Sequence, residues 1–115
     1  MADLPLSGVR VCDLTWIIAG PTATRVLADF GAEVIRVEHA QAVDAIRLGR
    51  PIIGDTPTLN NSGFFNYFNR NKKSILLNVR HPMGFEVLKR LIAVSDVVVE
   101  NFSSGVMKSW GLHYE

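Results

Sequence analysis

The sequence predicts an α/β protein whose parallel sheet has about four strands, with helices packed on its faces. This fold class follows from one pattern that occurs twice. A strand, a helix and a second strand lie between Gly8 and Glu38, and the same series returns between Ser74 and Val99. Crossovers of this kind join parallel strands with a right-handed connection, so the two units predict a doubly wound sheet.

The first unit opens with a strand and passes into a helix at a Gly-Pro pair. Val9, Val11 and Leu14 form the apolar strand, and Pro21 suits a first helical turn, where a missing N–H costs nothing. The next apolar residues have the spacing of one helix face: Ala23, Val26, Leu27 and Phe30. Gly31 then ends the helix, and the apolar run 34–37 predicts the second strand.

The central segment, residues 39–63, carries scattered prolines, glycines and asparagines and is expected to be mainly loop, with a turn or two of helix within 42–48. A loop of this length usually covers a site or packs on another part of the protein. An aromatic cluster follows: Phe64, Phe65, Tyr67 and Phe68. We interpret it as a hydrophobic anchor under the loop in preference to a ligand-stacking surface.

The second unit begins after a basic turn, residues 69–73, which is interpreted as a solvated face. Residues 74–79 predict a strand, and Pro82 lies in the first turn of the next helix. The buried face of that helix is marked by four apolar residues: Phe85, Leu88, Leu91 and Ile92. The run 97–99 is typical of a strand covered on both faces, and a short helix ended by Gly111 is expected within 104–110.

Composition places the chain among ordinary soluble domains. Its 115 residues fit one domain, with 48% hydrophobic residues, 20% charged residues and a net charge of +1. This balance gives no support for a nucleic acid or membrane partner. Cys12 is the single cysteine, which we interpret as a buried hydrophobe in a reducing compartment. Without a signal peptide or an apolar run of ~18 residues, the expected location is the cytoplasm.

Known short motifs do not assign a reaction. The first turn reads Ala19-Gly20-Pro21 and lacks the Gly-x-Gly-x-x-Gly of dinucleotide sites, and the chain has no P-loop or nucleophile elbow. His39, His81 and His113 are too widely spaced to form a metal-ligand pair, so no metal is expected. The pattern therefore predicts a Rossmann-like half-domain whose ligand lies at the carboxyl ends of the strands.

Four segments carry a resemblance to a known family: residues 5–15, residues 19–21 with 27–38, residues 69–75 and residues 96–102. In this order and spacing they resemble the N-terminal part of the family III coenzyme A transferases, over about 5–115. The resemblance implies a Rossmann-type large domain in a chain several times longer, with two chains interlocked as a homodimer. Residues 1–115 would then be an incomplete N-terminal portion of one CoA-binding domain, which agrees with a sheet that lacks a final covering element.

The family's reaction, as the resemblance implies it, transfers coenzyme A from an acyl-CoA to a second carboxylic acid. An aspartate attacks the thioester, and the reaction passes through mixed anhydrides and an aspartyl-CoA thioester. In relatives that aspartate lies beyond position 115, and no aspartate of this chain matches it: Asp3, Asp13, Asp29, Asp44, Asp55 and Asp96. The chain alone is therefore expected to be inactive.

Two alternatives remain open. A CoA-ester racemase shares this N-terminal pattern but uses a histidine and aspartate pair, and residues 69–75 favour the transferase branch. A truncated, non-catalytic module that binds CoA or a partner subunit is the third possibility.

The resemblance also implies which positions bind the CoA moiety. They follow the strand ends: Ile17, Ile18 and Ala19 on the adenine side, His39, Leu77, Asn78, Val79, Arg80, Asn101, Phe102, Ser103 and Ser109. Arg80 is the clearest charge for a CoA phosphate, since guanidinium pairs with phosphate oxygens in a fork. Relatives commonly have arginine at positions 39 and 109, so the phosphate-binding charge is reduced here unless Lys72 or Lys108 compensates.

Overall fold

The computed structural model describes residues 3–114. Residues 1, 2 and 115 lie outside this range, and with them the start of the N-terminal segment and the end of the region of resemblance. The elements, in chain order, are β1 (Arg10–Asp13), α1 (Ala19–Asp29), β2 (Glu33–Glu38), α2 (Gly63–Asn69), β3 (Lys73–Leu76), α3 (Pro82–Ala93), β4 (Val97–Val99) and α4 (Val106–Ser109). No helix in this part of the chain is both long enough and apolar enough to cross a membrane.

The four strands form one parallel sheet in the order β3-β2-β1-β4. This confirms the predicted α/β fold class, although β3 ends at Leu76, earlier than the predicted run 74–79. The chain moves outward from β1 through β2 to β3, and then returns across the sheet to place β4 on the other side of β1. Strand order therefore reverses beside β1, and in open α/β sheets ligands bind in the crevice at such a point.

The core lies on both faces of the sheet because successive residues of β1 point to opposite sides. Val11 packs with Ala28 of α1, whereas Cys12 packs with Leu88 of α3, and all of these side chains are buried. Phe85, Leu91 and Ile92 are partly buried in the same cluster as Leu88, so the predicted inner face of α3 is confirmed.

The predicted apolar face of α1 is wrong except at Leu27, which packs against the core. Gly20, Pro21, Thr24 and Ala28 form its buried face, while Val26 and Phe30 are 40% and 52% exposed. The reason at the start of the helix is close packing: a Cβ at Gly20 would overlap the Thr15 side chain, so no larger residue fits at that position. The helix also begins at Ala19, before the Gly-Pro pair.

Three further expectations need correction. β4 is an edge strand, and Val97 and Val98 are 41% and 37% exposed, so this part of the chain does not cover both of its faces. The aromatic cluster forms α2, on which Phe64 and Tyr67 are about half exposed, while Phe65 lies under the guanidinium of Arg47 and is half-buried. The third concerns the basic turn, residues 69–73, which is not wholly solvated because the side chain of Lys72 is 2% exposed.

The remaining local predictions are close to the structure. A 3₁₀ turn at Ala45–Leu48 occupies the place where the central segment was expected to form a turn or two of helix. α4 is shorter than the predicted helix, and the glycine after it, Gly111, has a φ of +72°. Glycine adopts this left-handed conformation without steric cost, which explains why the helix ends there.

A candidate ligand site at the carboxyl ends of the strands

A cavity of about 220 Å³ opens at the carboxyl edge of the sheet. Every strand sends a segment to its wall, because parallel strands all end on the same side. Most of the lining is apolar: Leu14, Trp16, Val37, Ala42, Leu77, Val79, Phe102 and Trp110. The polar lining residues are Glu38, His39, Gln41 and Arg80. The cavity thus combines a large apolar surface with few polar groups, as small-molecule sites generally do.

The apolar floor of the cavity continues the core on the α3 side. Leu14 and Val37 are 3% and 6% exposed and pack in the same cluster as Leu88. Phe102 and Trp110 stand edge to face, with ring centroids 5.5 Å apart. Such a pair gives a rigid aromatic wall, against which a planar ring can pack.

His39 lies at the cavity, and each of its ring nitrogens takes part in one hydrogen bond. Its Nδ1 accepts from the backbone N–H of Gln41 at 3.0 Å, so the ring proton lies on Nε2, which is 2.9 Å from Oδ1 of Asn78. Both ring nitrogens of His39 are therefore hydrogen-bonded within the chain. His39 is thus fixed in orientation at a position where the resemblance implies that relatives commonly have arginine.

Arg80 is the cation at the mouth of the cavity. Its side chain is exposed, and within residues 3–114 no carboxylate lies at ion-pair distance from its guanidinium. Its backbone N–H donates to Oδ1 of Asn78 at 3.1 Å, the atom that also contacts His39. Asn78 consequently ties the two residues together, and a guanidinium without an ion-pair partner is available to an anionic ligand.

The turn after β1 is closed by side chains from elsewhere in the chain. The backbone N–H of Trp16 donates to Oδ1 of Asn101, and Nδ2 of Asn101 donates to the Trp16 carbonyl, both at 2.9 Å. The backbone N–H of Ile17 donates to Oδ2 of Asp44 at 3.1 Å. The Ile17 amide is therefore already hydrogen-bonded within the chain.

The structure brings only part of the predicted site together. His39, Leu77, Val79, Arg80 and Phe102 line the cavity, and Asn78 and Asn101 act on residues that line it. The remaining predicted residues lie outside its lining: Ile17, Ile18 and Ala19 on the turn and helix start, Ser103 in a separate depression with Lys108, and Ser109 on α4. Lys72, offered as a compensating charge, is buried and lies elsewhere.

Sequence reasoning missed the two tryptophans, which both line the cavity. Trp16 follows directly on the end of the first strand pattern, and that position is the signal that could have found it. Trp110 could not be found in this way, because it comes from α4 and reaches the cavity only through the fold. Gln41 and Ala42 were also missed, since they lie in the segment interpreted as loop.

A buried ionic network lies beside the cavity. On one side, Nζ of Lys72 is 3.0 Å from Oδ2 of Asp13, and their side chains are 2% and 0% exposed. Burial lowers the pKa of the Lys72 ammonium, and the charge of Asp13 only partly opposes this effect. Oδ1 of Asn69 accepts from both Lys72 and Arg36, at 3.0 and 2.7 Å, so it links this pair to the next.

On the other side of the network, Arg36 pairs with Asp44, and each of these side chains is 1% exposed. Glu38 accepts two hydrogen bonds of 2.7 Å from Arg47 and one of 2.7 Å from Ser74. Burial raises the pKa of the Glu38 carboxyl, but these hydrogen bonds and the charge of Arg47 together hold it below its usual value. The carboxylate that lines the cavity is thus committed to an ion pair, and the arrangement favours binding over nucleophilic chemistry.

The chain is similar to known proteins over nearly its whole length. The model of the family described as CoA-transferase family III matches residues 6–115. The chain is 46% identical over 112 residues to the human succinyl-CoA:glutarate CoA-transferase, covering 96% of this chain and 24% of that protein. It is 45% identical over 114 residues to the beta subunit of the succinyl-CoA–L-malate CoA-transferase of Chloroflexus aurantiacus, covering 97% and 27%.

A solved structure shows the same fold. A CaiB/BaiF family protein from Brucella suis superposes with a TM-score of 0.86 at 38% identity, covering 98% of this chain and 30% of that one. The chain therefore spans about a quarter of the length of the curated relatives, with 24% and 27% covered in the two cases above.

Proposed function

Because the chain belongs to CoA-transferase family III, we propose that it is the N-terminal part of the CoA-binding domain of an enzyme that transfers coenzyme A between carboxylic acids. The observation that carries this proposal is the cavity at the carboxyl ends of the strands, within the matched region, with aromatic walls and Arg80 at its mouth. The relatives named above are CoA-transferases that use succinyl-CoA, which supports a CoA thioester as substrate and a carboxylic acid as the second partner.

In the proposed complex the adenine ring packs in the cavity against Trp16, Phe102 and Trp110. A planar heteroaromatic ring matches the apolar lining and the rigid aromatic pair. The guanidinium of Arg80 takes a CoA phosphate through forked hydrogen bonds. The predicted contacts of Ile17, Ile18 and Ala19 on the adenine side, and those of Ser103 and Ser109 with CoA, stay predictions.

We assign the transfer reaction to an aspartate outside residues 1–115. The proposed step is attack of that carboxylate on the acyl-CoA carbonyl, which releases CoA thiolate and leaves a mixed anhydride on the enzyme. The thiolate then attacks the anhydride at the enzyme carbonyl, forming an aspartyl-CoA thioester and freeing the first acid. The second acid accepts the CoA by the reverse sequence.

The environments of the aspartates in this chain support that assignment. Asp13 and Asp44 are buried in ion pairs, Asp29 is held by Arg70 at 2.7 Å, and Asp96 accepts from the Arg10 backbone at 2.8 Å. Within residues 3–114, the cavity lining contains no aspartate. The 115-residue chain by itself is thus proposed to be inactive, and the complete enzyme to be a cytoplasmic homodimer.

The first experiment measures CoA binding in the natural polypeptide that carries this sequence. We expect saturable binding by calorimetry and a change in tryptophan fluorescence. Arg80→Ala should weaken CoA binding by about tenfold or more, since a hydrogen-bonded charge pair is worth ~1.5–3 kcal/mol. Arg90→Ala is the matched control, because Arg90 is a 78% exposed arginine on α3 outside the cavity. Absence of CoA binding would overturn the proposal, and an unchanged affinity in Arg80→Ala would overturn the location of the site.

The second experiment separates the possible activities. Exchange of labelled CoA between an acyl-CoA and a free carboxylic acid is the result expected for a transferase. Racemisation of an α-methylacyl-CoA without such exchange would contradict the transferase proposal and support the racemase alternative. CoA binding with neither reaction would instead identify a non-catalytic module.

A further inference from the structure

The turn after β1 has a backbone conformation that its own residues do not favour. Ile17 has a φ of +68°, in the left-handed region, which is a genuine outlier for a β-branched residue. Its side chain does not fix this conformation by packing, since Ile17 is 44% exposed. Something outside the turn must therefore hold it.

Asn101 holds the turn from the β4 side. The β1–β4 ladder ends with Leu14 N–H donating to the Val99 carbonyl at 2.8 Å. The Asn101 side chain continues this pairing, because its amide both accepts from and donates to the peptide groups of Trp16. Gly20 gives it room, since a Cβ there would lie 3.1 Å from Cγ of Asn101.

Asp44 holds the turn from the other side. Its Oδ2 accepts from the Ile17 N–H, and the same oxygen accepts from Arg36, while Oδ1 accepts from the Ile46 N–H at 3.2 Å. Asp44 is 2% exposed and does not line the cavity. It therefore acts on a bound ligand indirectly, and its direct link to the cavity wall is the turn that it holds.

We propose that Asp44 and Asn101 are positioning residues, which fix the Trp16–Ile17 turn so that the Trp16 indole stands in the cavity before the ligand arrives. The identity of that ligand as CoA rests on the function proposed above. Because the amide of Asn101 is used by Trp16, Asn101 acts through Trp16 and not by direct contact. A preorganised wall lowers the ordering cost of binding, and apparent affinity falls in proportion to the fraction of protein in the competent conformation.

The test observes Trp16 directly in the natural polypeptide labelled with 5-fluorotryptophan. The fluorine resonance of Trp16 is assigned by its loss in Trp16→Phe. In the ligand-free protein, Asn101→Ala and Asp44→Asn should shift or broaden this resonance. If one tenth of the molecules then keep the native turn, the dissociation constant of CoA rises about tenfold. Asn101→Asp keeps the acceptor for the Trp16 N–H but replaces the donor to the Trp16 carbonyl by a carboxylate oxygen, so it should also shift or broaden the resonance and weaken CoA binding.

The two proposals fail in different ways. A wild-type protein that does not bind CoA would overturn the proposed function, while the ligand-free Trp16 resonance would still decide the positioning role. Weaker CoA binding by Asn101→Ala with an unchanged ligand-free Trp16 resonance would overturn that role, because it would indicate direct contact. Asn101 is exposed, so its variants keep the test decisive if Asp44→Asn unfolds by leaving Arg36 without its buried partner.

Discussion

Replacement of Lys72 by methionine should strongly destabilise the fold without affecting CoA binding. The Lys72 side chain is 2% exposed, and its Nζ contacts Asp13, Thr24 and two further oxygens, the carbonyl of Pro21 and Oδ1 of Asn69, at 2.7–3.0 Å. Lys72→Met leaves the wholly buried Asp13 carboxylate without its cation. Removal of one partner from a buried pair costs ~3–5 kcal/mol of unfolding free energy.

The adjacent residue is a matched control. Lys73 is 71% exposed and pairs with Glu33 at the surface, so Lys73→Met should cost below about 1 kcal/mol. Urea unfolding of the two variants measures both values. The double variant Asp13→Asn/Lys72→Met should be more stable than the sum of the single changes predicts, because both charges are removed together. A cost for Lys72→Met no larger than that for Lys73→Met would refute the buried pair, and a loss of CoA affinity with full stability would place Lys72 at the ligand.

Two other predictions concern titratable groups. Burial, and secondarily the charge of Asp13, raise the pKa of the Cys12 thiol to about 11, so at pH 8 its thiolate fraction should be about 100-fold below that of a thiol with a pKa of 9.0. Alkylation of Cys12 should accordingly be at least that much slower in the native protein than in urea, and equal rates would show that Cys12 is accessible. Hydrogen bonds from Lys73, and then from Arg10, hold the pKa of Glu33 at about 2, below its usual 4.5. A lowered carboxyl pKa stabilises the fold above the unfolded pKa, and this contribution disappears as the pH falls from about 4.5 towards 2. Glu33→Gln should therefore be less stable than wild type at pH 6 and equal to it near pH 2; a pH-independent difference would contradict the pairing.

The fold could be predicted where a local sequence pattern is compatible with a single structure. The face of α3 around Leu88 follows from its apolar spacing, and the parallel pairing follows from the short crossovers. The face of α1 does not, because Gly20 lies too close to the Thr15 side chain for a larger residue, and the small residues Gly20 and Ala28 are buried while Phe30 is exposed. The apolar pattern of a helix reports only which residues are hydrophobic. The distance between the helix and its neighbour decides how large the buried side chains can be.

The location of the site could be predicted from the sequence, but the set of residues that form it could not. Residues after the strand ends do form the cavity, because parallel strands bring their carboxyl ends to one edge. Lys72 and Lys73 show why individual roles were not predictable: the same residue type at adjacent positions is 2% exposed in one case and 71% in the other. That difference depends on where Asp13 lies, and Asp13 is 59 positions away from Lys72 in the chain.

The strand order also determines when each strand can pair while the chain is being synthesised. β1 can pair with β2 as soon as the first unit has left the ribosome, but its other edge waits for β4. Arg10 contacts Asp96 across 86 positions, which corresponds to about 4–17 s at a translation rate of ~5–20 residues per second. During this interval one edge of the central strand has unpaired N–H and C=O groups and can pair with a foreign strand. Asn101 emerges later still, so the wall around Trp16 is among the last parts of this segment to form.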